Sequence, residues 1–340
     1  MSLLRRTVLG RAAAAAAAGV AAPALLTWPA GAAEFEYKLG DVLPMEHPLN
    51  GRCAEAIKKI KDESGGRLDI TLYPNSVLGQ DTAMMSQAVS GALQMYVVSV
   101  DILAQRAPPA AIFGVGFAFS DYDQCWKAMD GELGDYVRGL SEKVGLHCID
   151  KAFDHGFREI TSRVKPIEKP DDLKGFKIRL PVAPGFIALF KHLGASPTAI
   201  NFGEVYSALQ TGLVDGQENP LILIDTAKFY EVQKYCSVTN HIWVGLHVAF
   251  NNQAWKKLPP DLQEIAYKNF SQAALDERDD WQKMNRTEMD GLKAKGLIFN
   301  TPDTKPFQET LRQTGFYPDM KKELGDQAWG LLEKYVGPLV

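Results

Sequence analysis

Two arginines are the residues of this sequence best suited to bind a small charged molecule. Arg158 lies within an apolar-rich segment predicted to be a strand, and Arg179 lies at the end of another. An arginine in such a place is rarely buried without a partner, and its planar guanidinium fits a carboxylate through two parallel hydrogen bonds. The partner is either the anion of a ligand or a protein acid such as Glu204 or Glu218, and the spacing leaves both open.

Two side chains near these arginines are candidates for the wall of a cleft. Phe202 begins a predicted helix directly after an apparent loop, where an aromatic ring belongs either to the core or to a ligand site. Asn219 lies between Glu218 and Pro220, at a bend that could aim its amide into a cleft. The sequence alone does not decide between the two roles of Phe202.

The elements that must position these residues alternate between strands and helices. Apolar alternation and short apolar runs predict strands at 37–42, 67–73, 95–100, 147–151, 157–161, 176–180 and 248–251. Helical spacing predicts helices at 48–63, 81–90, 184–193 and 202–211, and one long helix or two in series across 260–295. This order is typical of α/β domains with a largely parallel sheet. Two such halves without a flexible linker predict a cleft between them, where small ligands commonly bind.

Length and composition limit the class of protein. The chain has 340 residues, which is enough for two domains of ordinary size. Hydrophobic residues make up 46% and charged residues 23%, the balance of a globular protein. The formal net charge is −4 and no basic residues cluster, so we expect no nucleic-acid partner.

Motifs of the common catalytic classes are missing from the sequence. It contains no Gly-x-Ser-x-Gly elbow, no Gly-x-x-x-x-Gly-Lys phosphate loop and no His-Glu-x-x-His. The glycines within 114–116 lack the third glycine of a dinucleotide loop. His241 and His247 could share a metal, although a lone pair of histidines is more often structural. We therefore expect no cofactor, no bound metal and no enzyme activity.

The N-terminus has the pattern of a signal peptide. Arg5 and Arg6 precede an uncharged, alanine-dominated stretch that ends in a small-x-small pattern at 30–32. A membrane anchor is the less favoured alternative, because alanine is only weakly apolar. We expect residues 1–32 to be removed by cleavage near Ala32 after Sec or twin-arginine export, leaving a periplasmic protein. The removal takes away three arginines and no acidic residue, which changes the formal charge from −4 to −7.

Cysteine spacing supports neither zinc binding nor redox chemistry. The four cysteines are Cys53, Cys125, Cys148 and Cys236, and none belongs to a Cys-x-x-Cys pair. Export permits disulfides, so disulfide pairing and buried free thiols remain equal alternatives.

Several motifs together resemble one receptor family. They are Asp-Leu-Lys-Gly-Phe-Lys-Ile-Arg-Leu-Pro at 172–181, Asp-Gly-Gln-Glu-Asn-Pro at 215–220, Tyr-Pro-Asn-Ser-Val-Leu-Gly at 73–79 and Phe-Tyr-Glu-Val-Gln-Lys at 229–234. The sequence resembles the DctP-like extracytoplasmic solute receptors of tripartite ATP-independent periplasmic (TRAP) transporters over nearly the whole mature chain. The first two motifs, about 35 residues apart, are highly specific in combination.

The resemblance implies a two-domain clamshell that closes on a ligand in an interdomain cleft. It implies an α/β fold with a long bridging helix. Arg179 matches the arginine that binds the ligand carboxylate, Arg158 a second ligand-contacting arginine, Phe202 the aromatic wall and Asn219 a polar contact. The closed receptor would deliver its ligand to the small and large membrane subunits for uptake driven by an ion gradient. We expect domain I at 33–155 plus about 245–284, and domain II at 156–244 plus about 285–340.

The remaining candidate residues concern the choice of ligand. Ser99 matches a position that is acidic in sialic-acid receptors, which disfavours that ligand. Trp243 and Phe186, together with Phe202, favour an aromatic or small hydroxy or oxo monocarboxylate, although a core role for Trp243 is equally compatible with the sequence. His47 completes the candidate ligand-binding residues. The alternative functions are an exported enzyme that acts on an organic acid and a sensory binding protein.

Overall fold

Two six-stranded sheets organise the molecule. The computed structural model describes residues 33–339, and the predicted signal peptide lies outside them. The first sheet contains β1 Phe35–Gly40, β2 Leu68–Tyr73, β3 Met95–Ser99, β4 Leu146–Cys148, β5 Phe153–Phe157 and β11 Trp243–Asn251. The second sheet contains β6 Glu159–Ser162, β7 Lys177–Leu180, β8 Ser196–Ala199, β9 Gly216–Asn219, β10 Tyr235–Ser237 and β12 Ile298–Asn300.

Each sheet mixes parallel and antiparallel pairs. In the first, β1 pairs in parallel with β2 and β3, while β11 runs antiparallel to β3, β4 and β5. In the second, the order is β12-β10-β6-β9-β7-β8, with β7 parallel to both β8 and β9. The carboxyl ends of β1 and β3 therefore share one edge, and those of β7 and β9 share another. Ligands of open α/β sheets bind beyond such edges.

Helices cover the faces and join the sheets. Their bounds are α1 Pro48–Glu63, α2 Asp81–Ser90, α3 Val100–Leu103, α4 Tyr122–Met129, α5 Glu132–Lys143, α6 Pro184–His192, α7 Val205–Thr211, α8 Leu221–Thr226, α9 Asn252–Lys257, α10 Pro260–Ala294, α11 Lys305–Gln313, α12 Phe316–Leu324 and α13 Asp326–Val336. Short 3-10 helices occur at Pro108–Gly114, Pro170–Leu173, Phe202–Glu204 and Phe229–Glu231.

Local chemistry explains where the predicted helices begin and end. α1 starts at Pro48, and the Nδ1 of His47 accepts a hydrogen bond from the backbone N–H of Leu49, which caps the helix. α2 ends at Gly91, whose φ of 84° is the left-handed conformation that glycine adopts most readily. The bounds predicted for these two helices are confirmed. The segment predicted at 260–295 is one helix, α10, which packs on α1, β5 and α8.

The chain passes between the two sheets at Arg158, again between β10 and β11, and once more through α10. Arg158 was predicted to lie inside a strand, but it is the one residue between β5 of the first sheet and β6 of the second. Its backbone N–H donates to the carbonyl of Ile242, a residue of the second crossing. The Oε2 of Glu159 accepts from the backbone N–H of Thr239 and Asn240. The crossings therefore support each other beside the cleft.

The predicted domain boundaries stay a prediction. The strands of the first sheet come from 35–157 and 243–251, and those of the second from 159–237 and 298–300. α13 was predicted to belong to domain II, but it packs on α4 and α5, which were predicted to belong to domain I. Within the described residues, no helix is long and apolar enough to cross a membrane.

All four cysteines are buried free thiols. Cys53, Cys125, Cys148 and Cys236 each lie in the interior without a disulfide partner. Burial raises the pKa of each thiol. Of the two alternatives, the structure therefore shows buried free thiols and not disulfide pairs.

Candidate ligand-binding site

A cavity with about 470 Å³ of space between atoms lies where the two sheets face each other. The half built on the first sheet contributes the larger part of its lining: Asp41, Val42, Leu43, Asp81, Tyr96, Val97, Ser99, Asp101, Ile102, His155 and Leu246. The half built on the second sheet contributes Arg158, Arg179, Pro181, Phe202, Asn219 and Leu223. We call Arg158 and Arg179 the basic wall, and Asp41, Asp81 and Asp101 the acidic wall.

Arg179 is buried without an acidic partner among residues 33–339. Its residue is only 2% exposed, on the buried strand β7. Nε and Nη2 both donate to the carbonyl oxygen of Ile200, at 2.8 and 2.6 Å, while Nη1 donates to no protein acceptor. Burial lowers the pKa of Arg179 to about 10, which still leaves it charged at neutral pH. The guanidinium is thus held in place by a backbone oxygen and keeps free donors at the cavity.

Arg158 is buried with a carboxylate of the protein. Its Nε lies 2.5 Å from Oε2 of Glu218, and Nη2 donates to Oε1 of Glu218 and Oδ1 of Asn219 at 2.8 and 2.9 Å. The Phe186 ring lies 5.3 Å from the guanidinium carbon, a cation–π distance. The sequence left open whether a ligand or an acid such as Glu218 pairs with Arg158, and the structure shows Glu218.

Glu218 is also bound by a histidine behind the cavity. The Nε2 of His241 lies 3.1 Å from Oε2 of Glu218, and Nδ1 lies 2.8 Å from Oγ1 of Thr239. Burial lowers the pKa of His241 despite the nearby Glu218, which indicates a neutral ring that donates from Nε2. Burial alone would raise the pKa of Glu218, but Arg158 and His241 outweigh it and hold that pKa below its ordinary value.

The acidic wall consists of carboxylates that lie beyond the carboxyl ends of strands or at the start of a helix. Asp41 follows β1, Asp101 follows β3, and Asp81 begins α2. Burial raises the pKa of Asp41 to about 7, raises that of Asp101 to about 6, and raises that of Asp81 as well. None of the three forms a salt bridge with another residue of 33–339.

Hydrogen bonds cross the cleft from the start of α2. Oδ2 of Asp81 accepts from the backbone N–H of Phe202 at 3.0 Å, and Oε1 of Gln80 accepts from the N–H of Gly203 at 3.2 Å. The Oγ1 of Thr82 donates to Oδ1 of Asn201 at 3.4 Å. Three consecutive residues of one half thus hold three consecutive residues of the other, which fixes Phe202 against the cavity.

The structure brings five of the eight candidate ligand-binding residues to the cavity: Arg179, Arg158, Asn219, Phe202 and Ser99. It does not bring Trp243, Phe186 or His47 there. The Oγ of Ser99 donates to Oδ1 of Asp101, so this hydroxyl faces a carboxylate. The lining combines five charged side chains, Asp41, Asp81, Asp101, Arg158 and Arg179, with a larger number of apolar ones, and Phe202 is the aromatic residue among the candidates at the cavity.

Trp243 and Phe186 belong to the core beside the cavity. Trp243 is fully buried, donates from Nε1 to Asp154 and packs edge-on against Trp126. All nine residues of β11 are buried, so this strand has no alternation that would separate core positions from cavity positions. Phe186 packs against Gly114, where an added Cβ would lie 2.9 Å from the ring.

His47 lies behind His155, which does line the cavity. The two rings are 5.9 Å apart, and the His47 ring is 5.4 Å from that of Trp281. Burial lowers the pKa of His47 to about 3, so the ring is neutral. Its observed roles are to cap α1 and to pack under His155.

The acidic wall is what the sequence reasoning missed. Asp41 and Asp101 lie directly after two parallel strands of one sheet, which is a recognisable position for ligand-binding side chains. Within residues 33–339, no three His, Cys, Asp or Glu side chains are placed to hold a metal ion. His241 and His247 have separate partners, because the Nδ1 of His247 bonds to the carbonyl of Ile149.

Comparison with known proteins identifies the family of the chain. Residues 39–316 match the DctP family model, described as bacterial extracellular solute-binding protein, family 7. The chain is 33% identical over 257 residues to the 2,3-diketo-L-gulonate-binding periplasmic protein YiaO of Escherichia coli, covering 74% of this chain and 77% of that protein.

Solved structures of similar proteins share the fold. A TRAP periplasmic solute-binding protein from Sulfurospirillum deleyianum with bound succinate is 28% identical, with a TM-score of 0.84, and the match covers 89% of this chain and 100% of that one. Another, from Roseobacter denitrificans with bound L-galactonate, is 28% identical, with a TM-score of 0.83 and coverage of 89% and 99%. The chain belongs to the DctP family, the periplasmic solute-binding receptors of TRAP transporters.

Proposed function

We propose that this receptor captures a small organic acid by pairing the acid's carboxylate with Arg179. The observation that carries the proposal is the surroundings of a buried arginine. Among the described residues, Arg179 donates hydrogen bonds to one acceptor only, the backbone carbonyl of Ile200. A buried charge is stable only when it is paired or well hydrogen-bonded. A carboxylate at the free Nη1 edge would supply both the charge and the acceptors.

The energetics of such a site are sufficient for capture. A micromolar dissociation constant corresponds to about 8 kcal/mol. A charge-assisted hydrogen bond contributes about 1.5–3 kcal/mol net. Two such bonds to Arg179, contact with Phe202 and the hydrogen bonds across the cleft together account for this affinity.

The size of the cavity favours a small acid. Its room for the centres of water-sized molecules is about 50 Å³, whereas one water needs about 10–15 Å³ by that measure, so the cavity holds a few waters or one small ligand. Trp243 and Phe186 lie off the cavity, so the preference for an aromatic acid keeps only Phe202 in its support. A small hydroxy or oxo monocarboxylate fits the charged side chains of the lining better, and Ser99 again disfavours sialic acid.

Local charges must perform the capture. After removal of residues 1–32 the formal charge is −7, which repels anions at a distance. Arg179 acts only once the acid has entered the cleft. The closed receptor then delivers its ligand from the periplasm to the small and large TRAP membrane subunits, and the ligand is released unchanged.

A thermal-shift screen over organic acids tests the proposal. At about 100 times the dissociation constant, a cognate acid raises Tm by about 4 °C. Arg179→Ala abolishes that rise. Arg163→Ala is the matched control, because Arg163 lies on the same half and pairs with Asp215 at the surface.

Retention of the full Tm rise in Arg179→Ala, with the rise of Arg163→Ala unchanged, would refute the carboxylate role of Arg179. Mass spectrometry of the bound compound after denaturation provides a second readout. Recovery of an intact acid supports a receptor, and a chemically altered acid contradicts it.

A further inference from the structure

The acidic wall gives the cavity a second charged side. Asp41, Asp81 and Asp101 come from the half built on the first sheet, whereas Arg158 and Arg179 belong to the other half or the crossing beside it. All three aspartates are at most 8% exposed. A molecule in the cavity therefore meets guanidinium groups on one side and carboxyl groups on the other.

The partners of these aspartates leave acceptor capacity unused. Oδ1 of Asp41 accepts from the backbone N–H of Leu43 at 3.2 Å, but its Oδ2 has no hydrogen-bond partner although Asp41 is only 1% exposed. Asp81 accepts from Phe202, and Asp101 from Ser99. A buried carboxylate is stable when its oxygens accept several hydrogen bonds, and apart from the Asn50 side chain beside Asp41 the described chain supplies few side-chain or backbone donors to the three aspartates.

The charges of the site discriminate between the two ends of a ligand. Glu218 already neutralises Arg158, which leaves Arg179 as the one cation of the cavity lining without a carboxylate. One ligand carboxylate pairs with Arg179. A second carboxylate on the same ligand would face the acidic wall and be repelled where these aspartates are ionised, which for Asp41 is above about pH 7.

We propose that the ligand is a monocarboxylate whose far end carries hydrogen-bond donors, hydroxyl or protonated amine groups, that bind to Asp41, Asp81 and Asp101. This inference rests on the proposed capture of an organic acid by Arg179 and narrows it. It excludes dicarboxylates and acids with a purely apolar far end. Similar receptors with succinate and with L-galactonate show that family membership does not decide between these classes.

Calorimetric titration with matched acids tests the inference. One series has four carbons and differs only at the far end: butyrate, 4-hydroxybutyrate, 4-aminobutyrate and succinate. A longer series is hexanoate, galactonate, 6-aminohexanoate and galactarate. In at least one series, a donor-bearing acid binds at least about tenfold tighter than both the apolar acid and the dicarboxylate. If, in every series in which any acid binds measurably, the dicarboxylate or the apolar acid binds as tightly as the donor-bearing acids, the inference is overturned.

Asparagine variants of the acidic wall identify the residues and separate the two kinds of donor. Asp41→Asn and Asp101→Asn lower the affinity for the donor-bearing acid and leave the affinity for the apolar acid unchanged. Asparagine still accepts a hydrogen bond from a hydroxyl group but carries no charge. The affinity for an ammonium ligand therefore falls about tenfold or more, and the affinity for a hydroxyl ligand falls less. Equal weakening of all acids in a series would mean that these aspartates only support the fold, and would overturn the inference.

The same titrations separate this inference from the proposed function. If Arg179→Ala abolishes binding but the far end makes no difference, the proposed function stands and the role of the acidic wall is wrong. If Arg179→Ala binds as the wild type does while the donor preference holds, the carboxylate role of Arg179 is wrong. If no acid of either series binds to the wild type, both are overturned.

Discussion

The two buried arginines of this receptor have opposite surroundings. Arg158 is paired with Glu218 and Asn219, and His241 completes the group from behind. Arg179, which lines the same cavity, is held by a single carbonyl. The first arrangement is satisfied by the protein itself, whereas the second leaves Nη1 without an acceptor among the described residues. This difference supports a structural role for Arg158 and the proposed binding role for Arg179.

The largest expected effect is the loss of the acid beside Arg158. Glu218→Gln leaves a buried guanidinium without its counter-charge, which costs about 3–5 kcal/mol of unfolding free energy. Asp215→Asn is the matched control, because it removes the acid from the exposed pair with Arg163 and costs about 0–1 kcal/mol. Urea denaturation of both variants measures the difference. Equal, small losses in the two would show that Glu218 is not a structural partner.

The second effect is a dependence on pH that Asp41, on the wall that faces Arg179, shows and Glu218, the partner of Arg158, does not. The folded-state pKa of Asp41, about 7, exceeds its unfolded value of about 3.9. Its contribution to stability is therefore fully present below about pH 3.9 and is lost as pH rises through about 7. Asp41→Asn removes this loss. The free energy of unfolding of the variant, relative to that of the wild type, should therefore rise by about 2–3 kcal/mol between pH 5 and pH 8.

Glu218 provides the contrast for that experiment. Its folded-state pKa is lowered, so its contribution is present above the unfolded pKa of about 4.3 and is lost only as pH falls below that value. The difference between Glu218→Gln and the wild type should stay constant from pH 5 to pH 8. Thermal denaturation of the ligand-free proteins at several pH values measures both differences. A constant difference for Asp41→Asn as well would contradict the raised pKa of Asp41.

The sequence predicted elements well where local chemistry defines them. Pro48 and Gly91 mark helix ends through rules that act within a few residues, and those bounds agree with the structure. The change of sheet at Arg158 was not predicted, because the sequence indicated one strand at 157–161 across this position and no turn residue marks a break there. Whether a strand pairs with one sheet or the other depends on distant partners.

The site could be predicted only in part for the same reason. Arg179 and Asn219 belong to recognisable motifs, so their types and spacing were informative. Asp41, Asp81 and Asp101 belong to three separate elements, and only the folded chain brings them to one cavity. Trp243 lies in a strand that is buried on both faces, where the sequence pattern does not separate core from cavity.

The third effect distinguishes charge from geometry at Arg179. Arg179→Lys keeps the positive charge but loses the planar fork and the two hydrogen bonds to Ile200. We expect affinity for the cognate acid to fall about tenfold, or about 1.4 kcal/mol, while the loss of a hydrogen bond to Ile200 lowers ligand-free stability by about 1–3 kcal/mol, less than the loss expected for Glu218→Gln. Calorimetry measures the affinity of the variant, and urea denaturation measures its ligand-free stability. A large loss of stability would mean that Arg179, like Arg158, is structural.

The smallest effect concerns the hydrogen bonds that hold Phe202 beside Arg179. Gln80→Ala removes the bond from Gly203 across the cleft, so the bound state opens more readily. The dissociation rate should rise about two- to fivefold, the effect of one hydrogen bond of about 0.5–1 kcal/mol. Gln87→Ala is the matched control, because Gln87 lies on the same helix α2 but bonds to Leu78 within its own half. Stopped-flow release from both variants measures the rates. A rise in both would indicate a general weakening of α2, whereas a rise in Gln80→Ala alone shows that the cleft contact retains the ligand while Arg179 binds it.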